Sequence, residues 1–519
     1  MLSRTTLVMA LAGAALIAPA GAMAQGVEVI YCKINLNPKA TVPGATDIDG
    51  NPAATEFRSL EDLVMSPDGK YWLAEGRTQL GSDLENVWIL GTGRCGTKFL
   101  QEGDLIPGGL PNERYEFFGS GLGRFNDNNQ FGFTARARTG PTGTTSPANG
   151  QRVLLWNGST VSVLFAQGDL ISGLVDTTVS GDETFGNSVG SAHLLNNGVV
   201  GLQDSTIGNI STTRRPAIMY DNEAFHQTNV TTVTGIDGVT PVTWATINAN
   251  AFYTTPDGAH WMASGRRVGQ TGTEFILVRD GAVVIETGTE IGTSGVVPSQ
   301  LFSFKIAGNG DWVARGTTSG GVAWAVRNGA LIAKTGDPIT TGSGETWGGT
   351  FHHVTLNRLG HWVLLGNTSS ADPAADAVAV LDGSTVLFRE GDPVDLNGNG
   401  AFDDDVFIGR GNNTLVPWRA TLGDLTDAGW YYGIISIRDG AGADLNGVPV
   451  FSLPDAFIRF RTALVCDADF NASGAATVQD IFDFLEAYFS NDPRSDVNNS
   501  CTLTVQDIFD FLAAYFAGC

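Results

Sequence analysis

Seven times between residues 57 and 462, a tight turn built from Gly, Asn, Asp and Pro runs straight into an aromatic or apolar segment. The starts are Pro67-Asp-Gly-Lys-Tyr-Trp72, Asn128-Asn-Gln-Phe131, Asn196-Asn-Gly-Val199, Pro256-Asp-Gly-Ala-His-Trp261, Gly308-Asn-Gly-Asp-Trp312, Asn357-Arg-Leu-Gly-His-Trp362 and Asp427-Ala-Gly-Trp430. They recur about every 50–70 residues, enough chain for one four-stranded unit each. A unit of that size cannot bury its apolar face alone, so it must stack on its neighbours.

Two further signals keep the same order inside the units. Hairpins at Trp156-Asn-Gly-Ser-Thr-Val161, Arg279-Asp-Gly-Ala-Val283, Arg327-Asn-Gly-Ala-Leu331 and Leu381-Asp-Gly-Ser-Thr-Val386 carry the Asn-Gly or Asp-Gly of a primed turn. A closing Gly-Asp follows at Gly103-Asp104, Gly168-Asp169, Gly336-Asp337 and Gly391-Asp392. No long amphipathic helix pattern interrupts these segments, so residues 25–462 are predicted to be all-β. Seven units point to a seven-bladed β-propeller; six blades or an array of β-sandwiches are the alternatives. The pattern resembles secreted propeller-like repeat proteins, a resemblance that names no activity.

Residues 1–24 read as a secretory signal peptide: Arg4, an apolar core from Leu7 to Ile17, then Ala22-Met23-Ala24. No later stretch has about 18 consecutive apolar residues, so no transmembrane segment is expected after cleavage. The expected location is secreted, extracellular or at the cell surface. Thirty Lys and Arg stand against 54 Asp and Glu, a net charge of −24. That balance argues against nucleic acid as a partner and suits cation binding. Export permits disulfides. Cys466 and Cys519 bracket the C-terminal tail and are expected to staple it. Cys32 and Cys95, the two cysteines of the large domain, are expected to pair. Cys501 is left over, and its spacing leaves open a partner within the tail.

That tail, residues 463–519, says one thing twice. Asp469–Phe489 and Asp496–Phe516 align at an offset of 27 residues and share Val-Gln-Asp-Ile-Phe-Asp-Phe-Leu. A calcium ion takes six to eight oxygens at about 2.3–2.6 Å, supplied in EF-hand-like loops from positions 1, 3, 5, 7 (a carbonyl) and 12. The first copy offers Asp469, Asn471, Ser473, the Ala475 carbonyl and Asp480; the second offers Asp496, Asn498, Ser500, the Thr502 carbonyl and Asp507. Position 6 is Gly474 in one and Cys501 in the other, so the second site is expected to be weaker. Thr477-x-x-Asp480 and Thr504-x-x-Asp507 are also capping boxes, which explain each Asp without a metal but not the Asp-x-Asn-x-Ser run upstream of it, present twice. Ile481, Phe484, Leu485, Tyr488 and Phe489 form one helical stripe, with Phe482 and Ala487, and then Phe509 and Ala514, as surplus apolar surface. The tail resembles the type I dockerin module of polysaccharide-degrading complexes over about residues 466–519. The resemblance implies calcium as cofactor and a cohesin-like or cell-surface partner protein. It places partner choice at loop positions 10 and 11, here Val478-Gln479 and Val505-Gln506. With Phe482 and Phe509 these make two near-equivalent faces.

One more loop has calcium spacing. Asp395, Asn397 and Asn399 hold positions 1, 3 and 5, with Gly400 at position 6; the closing carboxylate falls to Asp403, Asp404 or Asp405, of which Asp403 and Asp405 are the preferred ligands. Catalytic signals are thin. His260 and His361 precede Trp at one repeat position, His352-His353 alternate faces, and Gly186-Asn-Ser-Val-Gly190 lacks the strand-to-helix elbow. Asp104, Asp169, Asp337 and Asp392 recur at a turn, which favours a structural role over acids on a rim. The sequence thus reads as a non-catalytic binding or attachment protein linked to polysaccharide, with a dockerin-borne glycoside hydrolase or lyase as the alternative.

Overall fold

The computed structural model describes residues 26–35, 37–118, 123–140, 150–175, 181–409, 417–442, 445 and 456–519. The expected signal peptide lies outside them. Each of the seven turn-plus-aromatic segments joins two neighbouring antiparallel strands of one blade, the first two of its four; blade 4 also carries a short preceding strand, Thr232–Thr234, which pairs with residues 241–243 and closes in parallel on Ala282. Blade 1 comprises Phe57–Met65, Trp72–Thr78, Asn86–Thr92 and Cys95–Gln101; blade 2 comprises Glu113–Phe118, Phe131–Thr139, Gln151–Trp156 and Val161–Ala166. Blade 3 runs from Val189–Leu194 to Glu223–Gln227, blade 4 from Pro241–Thr254 to Ala282–Glu286, blade 5 from Pro298–Ile306 to Ala330–Lys334, and blade 6 from Trp347–Leu356 to Thr385–Arg389. Blade 7 takes Trp418–Leu425, Trp430–Ile435 and Ala456–Arg461 from the end of the large domain. Its fourth strand is the N-terminal Val27–Cys32, paired antiparallel to Ala456–Arg461.

The repeated signals have physical causes. In the hairpins of blades 4, 5 and 6 both turn residues are left-handed: Asp280 and Gly281 at φ +49° and +81°, Asn328 and Gly329 at +50° and +80°, Asp382 and Gly383 at +50° and +62°. This is the type I′ geometry that matches strand twist. Blade 2 departs from it: there the Asn157 side chain accepts the Ser159 amide at 3.0 Å instead. Each Gly-Asp passes the chain to the next blade. The Gly amides of 103, 168, 336 and 391 donate to Tyr115, Phe185, Trp347 and Ile408 carbonyls at 2.8–3.0 Å. The Asp side chains accept the amides of Gln101, Ala166, Lys334 and Arg389, three residues back.

Among the described residues seven apolar cores, one per blade–blade interface, close the ring. Trp88 of blade 1 meets Phe133 of blade 2 at 5.2 Å between ring centroids, and Trp72 of blade 1 meets Phe457 of blade 7 at 5.0 Å. The remaining interfaces join blades 2 and 3, 3 and 4, 4 and 5, 5 and 6, and 6 and 7. Burying one large side chain contributes about 1.5–3 kcal/mol, so rings such as Trp72, Trp88, Trp244 and Trp324, all fully buried, are what hold the blades in register. The fold is all-β, a seven-bladed propeller, followed by two short helices: α1, Val478–Phe489, and α2, Val505–Ala517. Among the described residues no helix is long and apolar enough to cross a membrane.

Cysteine pairing departs from expectation. Cys466 and Cys519 are joined, but Cys95 pairs with Cys501, not with Cys32. The reason is topological. Cys32 ends the strand that completes blade 7 and lies buried in the core between blades 6 and 7. Cys95 opens the last strand of blade 1, at a hairpin that faces the tail.

Candidate functional site: the C-terminal loop-helix module

Both tail loops close around one hydrogen-bond scheme. In the first, Asp469 Oδ1 accepts the Ser473 amide (2.9 Å) and Oδ2 the Gly474 amide (2.6 Å). In the second, Asp496 accepts the amides of Ser500 (2.9 Å) and Cys501 (2.8 Å) in the same way. Cys501 adopts φ +64°, the left-handed turn that Gly474 (φ +91°) supplies in the first copy. The poor residue at position 6 therefore leaves the loop path unchanged. Asp480 accepts the Thr477 amide at 2.7 Å and the Asn471 amide at 3.2 Å; Asp507 repeats this with Thr504 at 2.8 Å and Asn498 at 3.5 Å. Burial pushes the Asp480 carboxyl pKa up, but the Thr477 and Asn471 amides outweigh it and hold it below its usual value. Asp496 goes the other way: burial raises it beyond what the Ser500 and Cys501 amides recover.

The donor set fits a hard cation. Oxygens sharing one calcium ion at about 2.3–2.6 Å sit roughly 3 Å apart. Ser473 Oγ lies 3.3 Å from both Asp469 Oδ1 and the Ala475 carbonyl; Ser500 Oγ lies 3.5 Å from Asp496 Oδ1 and 3.0 Å from the Thr502 carbonyl. Among the described residues no three His, Cys, Asp or Glu side chains converge as a metal centre. An ion in these loops would therefore depend on amide, hydroxyl and carbonyl oxygens beside two carboxylates. Sequence reasoning missed Asp483 and Asp510, which accept the Asn471 and Asn498 side-chain amides (2.7 and 2.9 Å) and so fix which way those side chains point. Their signal was the repetition of the whole Asp-Ile-Phe-Asp segment.

Phe484 and Phe511 stack at 4.2 Å and 8°, with Phe470 against both, forming the module's small core. The module is seated on blades 7 and 1. Beside the Cys95–Cys501 bond, Lys70 pairs with Asp492 (2.8 Å) and Arg459 donates to Asn499 (3.0 Å). What faces away is the same in both copies. Val478 and Val505 are 62% and 60% exposed, Phe482 and Phe509 61% and 60%, Phe489 and Phe516 75% and 79%. Gln479 and Gln506 are exposed alongside them. Ala487, expected as surplus surface, is buried, and Phe489, expected on the inner stripe, faces out.

The acidic loop sits on the ring seam. Val394–Asp395 pairs in parallel with Val27–Glu28, and Arg94, ion-paired to Glu28, also donates to the Gly398 carbonyl (3.3 Å). Asp395 accepts the Gly398 and Gly400 amides (2.6 and 2.9 Å), while Asn397 and Asn399 accept those of Asn399 and Ala401 (2.8 and 2.7 Å). Asp404, rather than Asp403 or Asp405, turns back over the loop, taking the Leu396 and Asn397 amides at 2.8 and 3.1 Å. Asp403 and Asp405 are exposed, and Asp405 (φ +52°) turns the chain into the following strand.

The histidines read as catalytic candidates have definite partners in the blades. Asp280 accepts both the Trp261 amide (2.8 Å) and His260 Nδ1 (2.7 Å), and Asp382 does the same for Trp362 (2.9 Å) and His361 (2.7 Å). His352 contacts Asn367 and the Trp418 ring, and His353 the Gly423 carbonyl; pairing slips by one residue at His352 (Phe351↔Gly366, then His353↔Leu365), so both rings reach the first strand of blade 7 and the simple alternation expected there does not hold. On one face of the ring, the turns between first and second strands knit together. Arg358 of blade 6 pairs with Asp427 of blade 7 and reaches Asp127 of blade 2, on the far side of the axis, at 2.8 Å. Asn129 donates to Asp68, Asn196 to Asp127, and Asn309 to the Arg358 carbonyl, at 2.7–2.9 Å. Behind this closure Lys305 is ion-paired with Asp424 and donates to Thr355 (2.9 Å), and Arg124 lies 4.2 Å over the Tyr253 ring. Asp424 and Asp427, the carboxylates of that chamber, are thus each committed to a cation.

No protein-family model matches the chain, and comparison with curated proteins found no match. Distant likeness to solved structures exists. Prolyl oligopeptidase B from Galerina marginata has a TM-score of 0.34 at 10% identity over 76% of this chain and 48% of its own, so the chain spans about half that enzyme's length. Oligogalacturonate lyase from Vibrio parahaemolyticus has a TM-score of 0.32 at 9% identity, covering 66% and 87%. The Dos1 propeller has a TM-score of 0.32 at 9% identity, covering 81% and 82%.

Proposed function

We propose that this protein is an exported, calcium-binding propeller that recognises polysaccharide through its ring. Its C-terminal module attaches it to a cohesin-like or cell-surface protein. The observation that carries the attachment is the matched pair of outward apolar stripes, Val478-Phe482-Phe489 and Val505-Phe509-Phe516, each member exposed to nearly the same degree in both copies. Paired burial would have hidden them; stacking uses Phe484 and Phe511 instead. Calcium would be held by the loop oxygens and would set the angle at which each helix leaves its loop. The test is retention of the full chain by its producing cells or complex. Phe482→Asp or Phe509→Asp should weaken retention partly, and the double change should release the protein to the medium while the propeller still melts as before. Unchanged retention of the double variant would remove the tail from the role.

A second reading, a polysaccharide hydrolase or lyase, draws on Glu75. Burial first, then the Asp62 and Glu61 charges, push its pKa up to about 8, so it holds a proton at neutral pH beside its cross-strand partner Asp62. Turnover of uronate or neutral polymers that Glu75→Gln abolishes would favour it; polymer binding without turnover favours the first reading.

A further inference from the structure

Between blades 4 and 5, toward the face opposite the knitted turns, lies an open cleft of about 710 Å³, within the range of small-ligand sites. A wide bulge opens it. Pairing in blade 4 jumps from Ile247↔Gly265 to Phe252↔Ala263, so residues 248–251 stand opposite Ser264 alone, with Asn250 at φ +54°. On the blade 5 wall Phe302 is 47% exposed. Among the described residues the other exposed propeller phenylalanine, Phe225, packs its ring on Tyr220, His226 and Trp261. Phe302 has no ring partner among the described residues. It rests instead on the Arg315 guanidinium, 5.4 Å from its centroid, which the Phe351 carbonyl holds at 2.6 Å. One side of the ring is thereby fixed and the other left open, a rigid apolar platform.

The cleft carries one cation and one carboxylate, Arg266 and Glu274, in a chain whose net charge is −24. Arg267 pairs with Glu286, but its neighbour Arg266 lines the cleft with only a 3.4 Å contact from Nε to the Thr246 hydroxyl, and no carboxylate of the described residues lies within ion-pair distance. Glu274, the acid of the cleft, already accepts the Thr271 amide. In a protein with 54 acidic and 30 basic residues, an arginine left without an acid is poised for one from outside. The amides of Asn248 and Gln300 line the same walls.

We propose that this cleft binds an acidic polysaccharide, a segment of uronate-type sugars, resting on the reading of the ring as the polysaccharide-recognising part. A pyranose ring lays its C–H face on Phe302, its carboxylate meets Arg266, and its hydroxyls meet Asn248 and Gln300. The full chain is tested with calcium present by affinity electrophoresis in polygalacturonate and in a neutral β-glucan. The wild type should be retarded by polygalacturonate alone. Phe302→Ala and Arg266→Gln should each weaken that binding at least tenfold, with melting temperature and cell retention unchanged, while Phe225→Ala should not. Polygalacturonate binding that survives both changes would place recognition elsewhere on the ring and overturn the site. Equal binding of the neutral glucan would overturn the acidic class. Binding of neither polymer would overturn the proposal together with polysaccharide recognition, leaving attachment to be judged by the retention assay.

Discussion

Replacing Asp480 by Asn separates the two jobs its carboxylate has in the first loop. The side chain is fully buried; one oxygen accepts the Thr477 amide and hydroxyl (2.7 and 3.1 Å), the other the Asn471 amide (3.2 Å). Asparagine keeps one acceptor oxygen and loses the other, together with the charge. Without calcium the loss is one charge-assisted hydrogen bond, about 1.5 kcal/mol. With calcium the account changes. For a Kd near 10⁻⁴ M, typical of extracellular modules, about 10 mM free ion adds roughly 2.7 kcal/mol to the folded module. The variant should forfeit most of that, so its deficit should widen from about 1.5 kcal/mol in chelator to about 4 kcal/mol in calcium. Hydrogen exchange of the α1 amides in the full chain reads both numbers, because the two disulfides keep the module in place. Asp507→Asn should show a smaller widening, since loop two holds non-glycine Cys501 at φ +64°. An equal deficit in chelator and calcium would refute the reasoning and reduce Asp480 to a helix cap.

Two other outcomes follow from the same structure. Cys95→Ser with Cys501→Ser should loosen the module's seat by about 2–4 kcal/mol, read as faster tryptic cleavage at Arg461 and Arg494 with an unchanged propeller melting temperature; equal cleavage would mean the Lys70–Asp492 and Arg459–Asn499 contacts suffice. Glu75 has a folded pKa of about 8 against 4.5 for the free group, so the folded state binds the extra proton and stability should fall as pH rises through that interval. Glu75→Gln should flatten that fall, matching wild type near pH 5 and exceeding it near pH 8.5 in thermal melts; parallel pH profiles would contradict the assignment.

Much of the fold was legible because its causes are local. A left-handed Asp-Gly or Asn-Gly pair shapes a hairpin through its own two residues, and a Trp placed after a turn begins a buried strand wherever it recurs. Seven such turns were therefore enough to read seven blades, and the twin loops could be read from spacing and a capping box. Partner choice at long range was not legible. Which cysteine meets Cys95 depends on the N-terminal strand crossing to blade 7, which removes Cys32 into a core and brings Cys501 over blade 1. That Asp404 is the carboxylate of its run to take the Leu396 and Asn397 amides depends on how the loop folds back on itself. Arg358 finds Asp127 only once a closed ring sets blade 6 opposite blade 2. The same holds for the cleft of Phe302 and Arg266: the two residues lie in different blades, and only the packing of blade 4 on blade 5, opened by the bulge at residues 248–251, brings them to one wall-to-wall site. Periodicity along the chain determined what each unit is; closure of the ring decided which residues meet.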